Sequence, residues 1–151
     1  MLAHLSLDRR EEAETAAPGR LIVLFYDQVA ENLHMAISAI ARNDIQERCN
    51  AVNAAIDLLA DMLQCFSMDA DDEIVMNLEQ IHTFLITRLP QVNFHNDAKF
   101  AAEAIRLLRP IRDSWSVADR VERQATEKVH PIAFGTASKA RPKLKLVRPS
   151  L

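Results

Sequence analysis

Residues 44–68 read "DIQERCNAVNAAIDLLADMLQCFSM", and their apolar spacing sets the architecture. Ile45, Cys49, Val52, Ile56, Leu59, Leu63 and Phe66 alternate steps of four and three, the pattern of a helix seam in a bundle. A second stripe, Ala51, Ala55, Leu58, Met62 and Cys65, lies one residue ahead of it. At about 100° per residue the two stripes cover roughly 200° of the helix, whereas a bundle helix needs an apolar face of somewhat over 100°. The surplus calls for a further occupant: deeper burial within the chain, a fifth segment of the chain, a second copy, or a partner's helix.

Three more helices flank this one. Pro18 suits a first helical turn, and Ile22, Tyr26, Val29, Leu33, Ile37 and Ile40 follow at helical spacing until "RNDIQ" interrupts. Here "LIVLFY", Leu21–Tyr26, places six apolar or aromatic residues in a row, which covers nearly the whole circumference of the first turns. Asp71, Asp72 and Glu73 place carboxylates at the positive end of a third helix carrying Ile74, Leu78, Ile81, Leu85 and Leu89, and Pro90 ends it. A fourth helix carries Phe100, Ala104, Leu107, Leu108, Ile111, Trp115 and Ala118, with Pro110 inside it expected to kink or break it locally. Short links between four amphipathic helices predict an all-α, antiparallel four-helix bundle over 18–118. A mobile N-terminal segment, 1–17, precedes it, and a basic, disordered tail, 119–151, follows.

The chain has 151 residues and a formal net charge of −3, the size of one domain. From Asp119 onward eight Lys or Arg stand against three Asp or Glu, so the tail is +5 and the body −8. An acidic body gives no electrostatic reason to expect nucleic acid as a partner. Two glycines, Gly19 and Gly135, leave no Gly-rich phosphate loop within the helical stretch. Cys49 and Cys65, about 24 Å apart along one helix at roughly 1.5 Å per residue, cannot form a disulfide and suit a reducing cytoplasm. The N-terminus lacks a continuous apolar leader and no stretch is long enough to span a bilayer, so no direct membrane insertion is expected.

Two Glu-x-x-His units, Glu31 to His34 and Glu79 to His82, invite comparison with di-iron carboxylate bundles. Helical phase argues against this. Glu31 points about 170° from the core stripe of its helix and Glu79 about 100° from that of its own, whereas ligands must project inward. Asp57 and Asp61 likewise fall on the polar face of the second helix. The remaining histidines are scattered, and no nucleophile stands in a Gly-bounded turn. The expectation is therefore no catalytic residue, no metal site and no cofactor.

The order of these features resembles the FliS family of flagellar secretion chaperones. "TAAPGRLIVLFYDQVAENLHMAI" is similar to the family's opening motif at Thr15, Ala16, Pro18, Leu21, Ile22, Phe25, Tyr26 and Asp27. The stretch 71–115 resembles its later helices at Asn77, Leu78, Leu89, Asn93, Asp97, Leu107, Leu108, Arg112 and Trp115. The resemblance implies a cytoplasmic bundle that binds the C-terminal segment of flagellin, prevents its premature polymerisation and presents it, when loaded, to a component of the flagellar type III export gate. It also implies that the N-terminal segment can cover part of the binding surface.

On that reading Ala51, Ala55, Leu58, Met62 and Cys65 form the partner groove, with Leu58 and Met62 central, and Phe84 adds to it. His4, Leu5 and Leu7 form the lid, and "LIVLFY" contacts it. Where the family commonly has a tyrosine pair in the third helix, "IHTFL" supplies His82 and Phe84. A homodimeric scaffold closing over the second stripe is the alternative, and a metal-binding bundle enzyme a remoter one.

Overall fold

The computed structural model describes residues 2–66 and 72–128. After a 3₁₀ turn, Leu2–His4, come helices α1 (Leu7–Thr15), α2 (Pro18–Ala41), α3 (Ile45–Phe66), α4 (Glu73–Arg88), α5 (Pro90–His95) and α6 (Lys99–Lys128). The all-α expectation holds, with no strand among the described residues. The four long helices form the bundle, in which α2 packs on both α3 and α6 while α4 packs on α3. Two contacts fix the direction of α6. Asp27 of α2 meets Arg112, and Gly19, two turns earlier, meets Asp119, further along α6, so the pair is antiparallel.

Local chemistry explains the boundaries. Pro18 occupies the first turn of α2, where its missing N–H costs nothing. At the other end Asn43 adopts a left-handed φ of 57°, and the Asp44 N–H donates to the Ala39 carbonyl at 2.9 Å, which satisfies an end carbonyl of α2. Asp44 then caps α3, accepting from the Glu47 N–H at 2.9 Å. Asp72 caps α4 through the Ile74 N–H, also at 2.9 Å. Pro90 starts the short α5, and Asp97 accepts from the Lys99 N–H at 2.8 Å at the start of α6.

Two sequence expectations need correction. The helix around Pro110 is not broken: α6 is continuous, because Pro110 lies on its exposed side, where water can satisfy the carbonyl that loses its donor. The helix also continues to Lys128, so the end of the bundle helix does not coincide with the change of charge at Asp119, which is itself 2% exposed. Residues 129–151, the rest of the basic tail, lie outside the described residues.

A change of emphasis concerns α3. The stripe Ala51, Ala55, Leu58 and Met62 is fully buried, whereas the expected seam is only half-buried at Cys49, Ile56 and Leu63, and Ile45 is exposed. The true core axis runs between the two stripes, through Val52, Leu59 and Phe66 on one side and Leu58 and Met62 on the other. Much of the surplus apolar width is thus consumed by the chain itself.

Candidate functional site

The row "LIVLFY" shows what the chain does with that width. Ile22, Val23, Leu24, Phe25 and Tyr26 are all buried. Phe25 and Ile22 fall toward the bundle, while Leu24 shares a face with Gln28 and Glu31, four and seven residues on. That face belongs to the N-terminal segment. The Ser6 N–H and the Arg9 guanidinium both donate to Gln28 Oε1, at 2.9 and 2.8 Å, and Arg9 also pairs with Glu31. Arg20 pairs with Glu12 at 2.6 Å, and its guanidinium is held charged to higher pH by that hydrogen bond.

The 3₁₀ turn reaches across to α3. His4 Nε2 lies 3.4 Å from Asp61, whose neighbours along that flank of α3 are Leu58, Met62 and Cys65. Leu5 is 4% exposed and joins the main core. The residues named for the lid therefore divide: Leu5 is inserted, His4 is exposed but held to Asp61, and Leu7 is 74% exposed and plugs nothing among the described residues. The residues named for the groove divide as well. Ala51, Ala55, Leu58 and Met62 are buried, whereas Cys65 and Phe84 are exposed.

Phe84 marks a second apolar surface that stripe counting did not find. Ile74, Ile81, Phe84 and Arg88 lie along one flank of α4, and Phe100, Glu103, Leu107 and Ile111 along one flank of α6. Arg88 joins the two flanks, with its guanidinium 4.6 Å from the centre of the Phe100 ring and 3.9 Å from Glu103. Between them Ile74, Ile81, Phe100 and Ile111 are only half-buried, and Phe84 and Leu107 remain 47% and 41% exposed. Both helices thus carry exposed or half-buried apolar side chains, and Arg88 bridges the two helices at one end. The signal of the α4 flank in the sequence was the seven-residue spacing of Ile74 and Ile81, read there only as core.

Chemistry of the catalytic kind finds no support in the positions of its candidates. Glu31 is exposed and held by Arg9, facing away from the bundle interior. His82 is fully buried, but its Nδ1 donates to the Leu78 carbonyl at 2.7 Å, leaving Nε2 to accept from the Tyr26 hydroxyl at 3.4 Å. Burial lowers its pKa and raises that of Tyr26, so both are neutral structural groups. Among the described residues no cluster of three or more His, Cys, Asp or Glu is placed to hold a metal, and no helix is long and apolar enough to cross a membrane.

The model of the family "Flagellar protein FliS" matches residues 1–122. The chain belongs to the FliS family. It is 23% identical over 104 residues to the flagellar secretion chaperone FliS of Vibrio cholerae, covering 69% of this chain and 76% of that one. It is 23% identical to the protein of the same name from Bacillus subtilis, over 77% and 86% of the two chains. With the Salmonella typhimurium protein of that name the identity is 28%, over 67% and 76%.

Several positions that carry the FliS resemblance are seen to hold the bundle together. Arg112 clasps Asp27 through two bonds, at 2.7 and 3.1 Å, and this raises the Arg112 pKa. Asn93 accepts from Arg48 at 3.3 Å, and Asn96, at a left-handed φ of 50°, binds the same guanidinium, which ties α3 to α5 and to the turn that follows it. Leu78, Leu89, Leu108 and Trp115 are buried core. The motif is largely a recipe for the scaffold; Leu107, on the flank of α6 that carries Phe100, is exposed.

Proposed function

We propose that this protein is a non-enzymatic export chaperone acting in the cytoplasm. It binds the C-terminal segment of flagellin, keeps that segment from premature polymerisation and assists its delivery to the flagellar type III export gate. Membership of the FliS family, across residues 1–122, is the observation that carries this reading.

The physical account is exchange of one apolar cover for another. Leu5 and the 3₁₀ turn occupy the flank of α2 and α3 beside Asp61, and a cargo helix with an apolar stripe takes their place. The exchange is inexpensive: full burial of one leucine contributes roughly 1.5–3 kcal/mol, well below the −8 kcal/mol or so of a micromolar complex. The cargo then continues to the apolar flanks of α4 and α6, where Phe84 and Leu107 are already uncovered. Leu58 and Met62 support the first of these surfaces from beneath instead of standing open at its centre. A homodimer closing over that stripe is disfavoured for the same reason.

The test is polymerisation of the flagellin encoded in the same genome, followed by light scattering. Stoichiometric chaperone suppresses growth of scattering, and flagellin lacking its C-terminal segment is not held by the chaperone. Unchanged polymerisation at a several-fold excess of chaperone contradicts the reading.

A further inference from the structure

Leu7 stands in water at the start of α1, with 74% of its surface exposed. Arg9 and Ala13 turn α1's other side onto α2, so Leu7 and Glu11 share an outward row with Asp8 beside it. None of Asp8, Glu11 and Glu14 has an ion pair among the described residues. The segment thus presents one large aliphatic side chain framed by unpaired carboxylates.

A matching receptor lies on the neighbouring side of α2. There α2 and α6 enclose a cleft of about 230 Å³ with Tyr26, Ala30, Ile105 and Leu108 in its lining. Its lining also includes His34, the Asp27–Arg112 pair, Asp113, which Arg112 reaches at 3.4 Å, and Arg109, whose guanidinium has no carboxylate partner among the described residues. Arg106, one turn earlier, is also exposed and has no carboxylate partner among the described residues. An aliphatic side chain with an adjacent carboxylate satisfies both features at once.

We infer that the occupant is α1 of a second copy, with Leu7 seated in the α2/α6 cleft and Asp8 and Glu11 facing Arg109 and Arg106. The geometry favours a reciprocal pair. α1 and α6 flank the outer face of α2, the face of Arg20, Asp27 and Glu31, each touching it from one side. A two-fold axis through that face lays each copy's α1 over the other's cleft, so the contact is made twice and closes. No element of the core has to open.

Sedimentation of the full-length protein from about 1 to about 200 µM tests the assignment, because two-fold association is read directly from its concentration dependence. The wild type is expected to dimerise within this range. Leu7→Ser and Arg109→Glu, both at exposed positions, are each expected to weaken the association about 10-fold or more, and Glu11→Arg added to Arg109→Glu to restore most of it. A wild type that stays monomeric throughout overturns the inference. So does a dimer indifferent to Leu7→Ser and Arg109→Glu, which then forms over another surface, and so does a failure of the charge exchange to restore it.

Discussion

Tyr26 of α2 and His82 of α4 meet across the interior of the bundle, the hydroxyl 3.4 Å from Nε2 and the rings tilted at 48°. Phe66 of α3 closes on the same imidazole edge-to-face, at 5.3 Å between ring centres. Three helices therefore converge on one buried, neutral histidine. Its second nitrogen is committed to the Leu78 carbonyl, so protonation has to reverse the Tyr26 bond, with the hydroxyl turning to accept, and place a charge in the core.

A pH dependence follows. The unfolded chain takes up a proton on this ring near pH 6.5, whereas burial holds the folded pKa lower. Between those values the unfolded state binds more protons. The contribution is thus fully present above about pH 6.5 and is lost as pH falls through the folded pKa, by up to about 1.4 kcal/mol per pH unit. Urea denaturation at pH 7.5 and 5.5 is expected to show wild type losing more stability than His82→Gln. Equal losses would mean that His82 does not carry the effect.

The Asp27–Arg112 clasp predicts a measurable but modest coupling. Both side chains retain about a third of their exposure, 29% and 33%, so solvent screens the pair despite its two bonds. A double-mutant cycle with alanine at both positions is expected to give about 1 kcal/mol. A coupling near zero would leave the antiparallel register of α2 and α6 to apolar packing alone.

Leu58 and Phe84 are expected to behave oppositely on replacement by glutamate. Leu58 is fully buried, and a carboxylate there costs several kcal/mol, enough to unfold a domain of ordinary stability. Phe84 is half-exposed, and Phe84→Glu should keep the helical circular dichroism and the melting temperature within a few degrees. A folded Leu58→Glu protein would contradict the burial described above.

The N-terminal cover separates Leu5 from Leu7 in the same way. Leu5→Ala removes a buried side chain and is expected to speed amide exchange across residues 5–15 by about 10-fold, a loss of roughly 1.4 kcal/mol of local stability. Leu7→Ala should leave exchange in monomeric protein unchanged. Equal effects of the two changes would show that the segment is not anchored at Leu5.

Helix starts and stops were legible because their signals are local: Pro18, Asp72 and Pro90 act through the backbone beside them. The face of α3 was legible only in width. Two adjacent stripes at helical spacing cannot reveal which one points inward, since that depends on where α2 and the N-terminal turn lie, and the second stripe proved the more buried. The same limit applies to Leu7, which follows Leu5 in sequence but falls on the outer side of a helix that begins there. The approach of Arg88 to Phe100, which brings the apolar flanks of α4 and α6 together at one end, is a tertiary distance no periodicity encodes. The expectation that Pro110 kinks or breaks its helix meets the same limit, since the exposure that lets α6 run on through it is tertiary.

The central claim is binding of flagellin's C-terminal segment at the apolar flanks, and calorimetric titration with a peptide of that segment tests it most directly. The account predicts saturable one-to-one binding by wild type, tighter binding by Leu5→Ala, where the cover is loosened, and weaker binding by Phe84→Glu. A wild type that releases no heat and shows no binding by a second method, with its helical fold intact, would contradict the account.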